Sequence, residues 1–249
     1  MNKTFKLLLA CVPALFIAAC GGDDDIDDKL DIADPQVRLV HAVPAGPNVS
    51  LFRDNVAQSA AVTNVPYAGA SNYFDVDTSS ATWSVRTTVG NVDIGSSLFE
   101  ATRGNRYTLM AVPGAGATTE VLNIRDPYNK NLTSDKGRVR VVNAAFNQIN
   151  IDAYIFEPTV DTGASTVTPN FPAVAYRAAY PATGNDSVEF EAGNKAYSLT
   201  LTAAGTKTPV FRAPITMAND ADLLVVVLPD RVLLVTNAAT PATELTNTL

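Results

Sequence analysis

The body of this chain has no cysteine. Both cysteines of the 249-residue sequence, Cys11 and Cys20, lie within its first twenty residues. Downstream of them there is no disulfide, no thiolate nucleophile and no Cys-ligated metal, so stability has to come from packing. Histidine is nearly missing too, with His41 the only one. A zinc site would have to be completed by carboxylates, and no G-x-S-x-G elbow exists to build a serine nucleophile. Charge is sparse, 17% of residues against 47% hydrophobic, so the chain can bury a sizeable core and is not disordered overall. It carries no basic patch, which makes nucleic acid a poor partner. No window holds a sustained helical period, and no apolar run is long enough to span a bilayer.

What is present begins with a targeting segment. Lys3 and Lys6 precede a short apolar stretch, 7–17, interrupted by Pro13 and followed by Ile17-Ala18-Ala19-Cys20. Small residues before a cut and a thiol after it resemble the lipobox of bacterial lipoproteins. There the sulfur is alkylated with diacylglycerol, and the amine freed by cleavage is then acylated. Two or three chains, at ~0.8 kcal/mol per buried CH₂, hold a protein stably where one would not. The expectation is a lipoprotein signal peptide at 1–19, lipidation at Cys20 and a membrane partner through that anchor. Leu8-Leu9-Ala10-Cys11 fits the same pattern loosely but would leave too short an apolar region.

Loss of 1–19 leaves 16 basic against 25 acidic residues. Seven Asp and one Lys sit in 21–34, so much of the excess belongs to a self-repelling tether. That tether lacks the turn Gly and the closing Glu of a calcium loop and reads as a spacer. Gly21 rather than Asp follows Cys20, which by resemblance to the enterobacterial sorting rule points to the outer membrane, facing the periplasm or the surface.

The body is organised by a repeat. Gln36-Val37-Arg38-Leu39-Val40-His41-Ala42-Val43-Pro44 is echoed within Gly137-Arg138-Val139-Arg140-Val141-Val142-Asn143-Ala144-Ala145, where Val37, Arg38, Val40 and Ala42 recur 102 residues later as Val139, Arg140, Val142 and Ala144. Such self-similarity marks a duplicated unit. Each copy is a β-branched run bounded by turn formers, and similar short runs recur with Gly, Pro, Asn and Asp between them. The spacing predicts an all-β fold of two tandem antiparallel β-sandwich domains of immunoglobulin-like form, at 35–125 and 137–236. The polar segment 126–136 reads as the linker, and Thr- and Ala-rich 237–249 as a tail. Ala196-Tyr197-Ser198-Leu199 answers Thr82-Trp83-Ser84-Val85 at an offset of 114, which places an insertion at 157–170 in the second copy. The runs 223–228 and 232–235, joined at Pro229-Asp230, are apolar at every position and read as a hairpin covered on both faces.

The opening strand is followed by Pro44-Ala45-Gly46-Pro47-Asn48-Val49-Ser50-Leu51-Phe52 and later by Asn64-Val65-Pro66-Tyr67-Ala68-Gly69-Ala70-Ser71-Asn72-Tyr73. This succession resembles the bacterial family known as domain of unknown function 4397. The resemblance covers the first repeat well. In the second, Asn143 stands where His41 does and no Pro follows Ala144. It implies secreted or lipid-anchored β-sandwiches, often in tandem, and carries no catalytic residue across.

The residues permit little chemistry. His41 shares a strand face with Val37, Leu39 and Val43 and is expected as a buried imidazole bonded to the adjacent turn. Asp75 and Asp77 alternate on one strand face with Tyr73, as Glu189 and Glu191 do in the second copy. Paired carboxylates serve glycoside hydrolysis or hold calcium, but i, i+2 spacing is also ordinary on a solvated strand face. Trp83 reads as a core aromatic rather than a sugar platform. The polar candidates are therefore His41, Asp75 and Asp77, with no cofactor and no metal. The expectation is an envelope protein with a non-catalytic binding or structural role, contacting an envelope protein or polysaccharide. A carboxylate-dependent envelope hydrolase and a cell-surface adhesin or polysaccharide-binding protein are the alternatives.

Overall fold

A computed structural model describes residues 33–116, 118–128 and 135–249. Cys20, the signal segment and nearly all of the tether lie outside them. The described residues are built into strands, with a single 3-10 turn among them at Ala60–Val62. In the first repeat these are β1 (Gln36–His41), β2 (Val49–Arg53), β3 (Val56–Ala57), β4 (Phe74–Asp75), β5 (Ser80–Thr87), β6 (Asp93–Glu100), β7 (Asn105–Pro113) and β8 (Thr119–Pro127). The second repeat begins with β9 (Lys136–Asn143), β10 (Asn150–Phe156), β11 (Phe171–Ala175), β12 (Ala178–Tyr180) and β13 (Val188–Glu191). It continues with β14 (Lys195–Ala203), β15 (Pro209–Met217), β16 (Asp222–Val227), β17 (Val232–Val235) and β18 (Ala242–Glu244). No helix among the described residues is long and apolar enough to cross a membrane.

Each repeat forms two sheets. The first has β4-β1-β7-β8 over β3-β2-β5-β6; the second has β12-β9-β16-β17-β18, with β13 also on β9, over β11-β10-β14-β15. One core fills each sandwich, with Val37, Leu39, Trp83 and Leu109 in the first and Val139, Ile155, Phe171 and Leu201 in the second. A third core joins them. Val40, Ala42, Met110 and Val112 from the β1 sheet pack with Val142, Leu224, Val226 and Leu233 from the β9 sheet. The molecule is therefore four sheets deep, and its two middle sheets are covered on both faces. This is why β1, β7, β9 and β16 are buried at nearly every position: alternate residues serve two different cores. Leu223, Val225 and Val227 face their own sandwich while Leu224, Val226 and Leu228 face the shared core.

The sandwich class is as the sequence implies, with differences in detail. The pairing is not wholly antiparallel: β1 runs parallel to β7 and β9 to β16, each pair joined by the long excursion through the other sheet that parallel neighbours require. The polar segment expected as a linker from 126 is narrower, because β8 continues through Pro127 and β9 begins at Lys136. The C-terminal segment is not a plain tail. It adds β18 to β17, and Thr248 N–H then bonds Arg212 O on β15 at 2.8 Å, crossing from one sheet to the other.

The ladders also revise the alignment of the copies. Val49 faces Thr87 and Ile151 faces Ala203, so the offset along β5 and β14 is 116, and Leu199 rather than Tyr197 answers Trp83. A slip of two residues preserves the in-and-out alternation and is therefore invisible to pattern alone.

Candidate functional site

The three polar candidates do not meet. Asp75 lies opposite Gln36 at the start of β1, while His41 ends that strand five residues on, about 16 Å away at ~3.3 Å per residue. His41 is fully buried, and its Nδ1 donates not to the adjacent turn but to Val65 O at 3.2 Å. That bond makes the neutral Nδ1–H tautomer the fitting one, and it leaves Nε2 buried without a partner. Burial pushes the imidazole below its usual pKa, only partly offset by the Val65 and Pro66 carbonyls.

The second copy explains the choice of residue. Asn143 takes His41's place, and its Nδ2 donates to Val174 O at 3.1 Å. Val174 faces Ile151 as Val65 faces Val49, so the two carbonyls are equivalent. Both side chains therefore do one job: each donates an N–H that ties the end of the central strand to the neighbouring segment.

Asp75 accepts Gln36 Nε2 at 2.9 Å, and Asp77, 95% exposed, lies 3.6 Å from an Arg53 nitrogen. They border a shallow cleft of about 450 Å³ that also holds the Arg103–Asp34 pair at 3.0 Å. The second sandwich has the matching cleft, larger at about 610 Å³. Register makes Glu189 the counterpart of Asp75, since each faces the residue before the repeated Val of the central strand. Arg138 binds Glu189 at 3.1 Å, Lys136 binds Glu191, and Lys195 binds Glu157 at 2.6 Å. Behind these ion pairs Phe190 stacks on Phe171 and meets Tyr197 edge-on, while the Tyr197 hydroxyl donates to Glu191 O. Among the described residues, no three His, Cys, Asp or Glu come together so as to hold a metal ion.

The inserted loop borders this cleft with Glu157, Val160 and Asn170, but it is not a free excursion. It folds over the outer face of the β10 sheet, where Tyr154, Thr200 and Thr202 are buried. Lys207 fastens it from the far side: its amine donates to Thr162 O and Val167 O and lies 4.8 Å from the centre of the Tyr154 ring. Asn170 Oδ1 accepts from Ile155 N–H at 2.7 Å.

Sequence reasoning missed a further polar assembly, at the edge of the shared core. Arg106 reaches Asp222 at 3.5 Å, and Arg140, 2% exposed, reaches Asp126 at 2.8 Å. Arg38 donates to Thr108 at 2.8 Å and lies over Tyr73; Arg106 lies over Tyr73 and Tyr128. Arg140 also donates to the carbonyls of Pro181, Ala182 and Asn185, and Ser187 donates to Asp126. Burial raises the pKa of Asp126, and Asp222 raises it further, against the pull of Arg140 and Ser187. The signal was in the repeat itself: Arg38 recurs as Arg140, a cation held at the same point of a doubly covered strand. Its partners, scattered along the chain, carried no such mark.

No curated protein matches the chain. Among solved structures it is similar to the Bacillus anthracis TIE protein, at 11% identity and a TM-score of 0.24, over 78% of this chain and 33% of that one. It is also similar to CBMbc, a family CBM26 module from Eubacterium rectale Amy13K in complex with maltoheptaose, at 8% identity and a TM-score of 0.24, over 84% of this chain and 100% of that one. At these scores neither likeness bears on function. A family model does match, over residues 35–154, which takes in the whole first sandwich, β9 and most of β10. That stretch matches the family described as Domain of unknown function (DUF4397), the one its opening strand and turn resemble.

Proposed function

We propose that this is a lipid-anchored protein of the bacterial envelope that binds an envelope polysaccharide and does not turn it over. The observation that carries the reading is the state of its ionisable groups. The imidazole is sealed in the core, away from either carboxylate pair. Glu189 and Glu191 are each held by a cation, as Asp77 is by Arg53. A hydrolytic carboxylate pair needs one member kept protonated and the other poised at the reacting carbon. Groups already committed to Arg and Lys are arranged for recognition instead.

The cleft of the second sandwich supplies the surface. At about 610 Å³ it lies within the range of small-ligand sites, ~300–1,000 Å³. Its charged rim offers hydrogen-bond donors and acceptors to sugar hydroxyls, with the Phe190 and Tyr197 rings behind. The anchor at Cys20 and the acidic tether would hold the body within reach of the outer membrane and its polymers.

The test is co-sedimentation of residues 21–249 with purified peptidoglycan, lipopolysaccharide and capsular polymers, beside ester, peptide, phosphate and glycoside substrate panels. Binding to one polymer, weakened by Glu189→Ala with Lys195→Ala, is expected. Turnover abolished by changing Asp75, Asp77, Glu189 or Glu191 would overturn the reading, as would failure to bind any of the polymers.

A further inference from the structure

At the opposite end of the second sandwich from the charged cleft lies a cavity of about 380 Å³. Its floor is core: Ile151, Leu201, Phe211, Val227 and Val232 all line it and are otherwise buried. Its rim is polar, with Gln148, Arg231, Glu244, Thr246 and Asn247. The pocket opens to solvent at its rim but reaches down between the two sheets, where facing side chains would ordinarily pack together, so its depth needs a cause.

Comparison of the two copies supplies it. In the first sandwich β6 lies directly against β8, and a Cβ built on Gly95 would stand only 2.9 Å from the Val121 side chain. The ladders make Phe211 the counterpart of Gly95, since Val85 faces Gly95 and Leu201 faces Phe211. They likewise make Val232 the counterpart of Val121, through Val227 and Ala111. Where glycine lets the first sandwich close, phenylalanine props the second one open.

The gap is walled by the end of the chain. Leu245 N–H bonds Val232 O at 2.9 Å on one sheet, while Arg212 N–H bonds Asn247 Oδ1 at 3.1 Å on the other. The segment bridges the opened edge and leaves the cavity behind it.

The geometry points to a binding site for a small neutral amphiphile, with its apolar body between Ile151, Phe211 and Val232 and a hydroxyl or amide head at the rim. A volume of about 380 Å³ sits near the lower end of the ~300–1,000 Å³ range of small-molecule sites. The floor of Ile151, Leu201, Phe211, Val227 and Val232 suits an apolar body, while the polar rim at the mouth stays hydrated. The rim carries one guanidinium against two carboxylates, so an anionic head is repelled, and each charge already has a partner, so a cationic head gains no free carboxylate. Arg231 binds Asp230 at 2.9 Å and Glu244 at 2.9 Å, so an ionic head would have to displace one of these pairs or lose its own hydration. Gln148, Thr246 and Asn247 provide uncharged hydrogen-bonding groups instead.

The test is titration of isotope-labelled residues 21–249 with 1-octanol, octanoate and octylamine, read from methyl resonances. Octanol should saturate, with shifts confined to Ile151, Leu201, Val227 and Val232. The two charged analogues should bind at least about tenfold more weakly. Val232→Trp, which fills the cavity, should abolish octanol binding while the chain stays folded. If that variant does not fold, the parent's shift map decides: saturating shifts at these methyls support the site. Absence of saturation up to about 1 mM, shifts mapped elsewhere, equal binding of the three heads, or unchanged binding in a folded Val232→Trp chain would overturn it.

Discussion

Arg106 and Asp222 occupy the same place in the two copies, and they are bonded to each other. Arg106 faces Gln36 on β1 as Asp222 faces Arg138 on β9, and Gln36 and Arg138 are repeat equivalents. When equivalent residues touch across an interface, they lie near an approximate two-fold axis, so the sandwiches pack by the same face. Like charges would repel there, and the copies carry opposite ones. Asp222→Ala should lower the unfolding free energy by about 1–3 kcal/mol, because it removes the opposite charge from beside a largely buried guanidinium that keeps its bond to Gln36. Urea melts of the single variants, and of the swap Arg106→Asp with Asp222→Arg, check this. The swap should recover much of the loss.

The shared core predicts that both sandwiches melt together. Calorimetry on residues 21–249 should show one transition. Val226→Asp would place an unpartnered carboxylate between the β1 and β9 sheets. It should split that transition or cost more than about 3 kcal/mol. Two resolved transitions in the parent chain would show that the interface does not couple them.

His41→Asn should fold normally and lose a pH dependence. Burial sets the native imidazole below its ordinary value of 6.5. Above that pH the side chain is neutral in both states and contributes no slope. As pH falls below it, the unfolded chain takes up a proton that the folded chain refuses, and stability drops. The variant's urea midpoint should therefore fall less than the parent's between about pH 7 and pH 5. At pH 7 the two should agree within about 1 kcal/mol, the worth of one hydrogen bond.

Lys207→Ala should loosen the inserted loop. It removes two bonds to loop carbonyls and the contact with Tyr154. A loss of about 1–3 kcal/mol is expected, with faster hydrogen exchange confined to the loop and the outer face of β10 and β14. Shortening the loop should cost at least as much, because it bares Tyr154, Thr200 and Thr202.

If Cys20 carries the proposed anchor, Cys20→Ser should abolish lipid attachment, since the thiol sulfur is the atom that would be alkylated. Mass spectrometry and detergent-phase partitioning measure it. A variant that still partitions as fully as the parent would refute the anchor.

Much of the fold was legible because strand patterning is strong in this chain. The repeat at Val37 and Val139 located both sandwiches, and the all-apolar run at 223–228 announced a strand covered on both faces. What covered it was not legible. Two cores that share one strand leave a single unbroken run, which cannot say that the second cover is the other copy. Asp126 looked like linker because its partners, Arg140 and Ser187, are remote in sequence. The end of the chain read as tail because only Ala242–Glu244 pairs as a strand, too short for any period to show. Of the candidate site, the matching carboxylate pairs were visible, but their ion pairs and the distance to His41 were not.

The doubly covered middle sheets set an order of events as the chain folds. Gln36 and Arg106 are 70 residues apart, so β1 must wait for β7 before its sheet can form. Contacts of such long range make folding slow. Even then the first half is incomplete, for Val40, Met110, Val112 and Ile124 stay bare until β9 and β16 arrive. A chain folded only as far as its first sandwich is thus an adhesive intermediate, and a gene cut between the copies would encode an aggregating fragment rather than a smaller working protein.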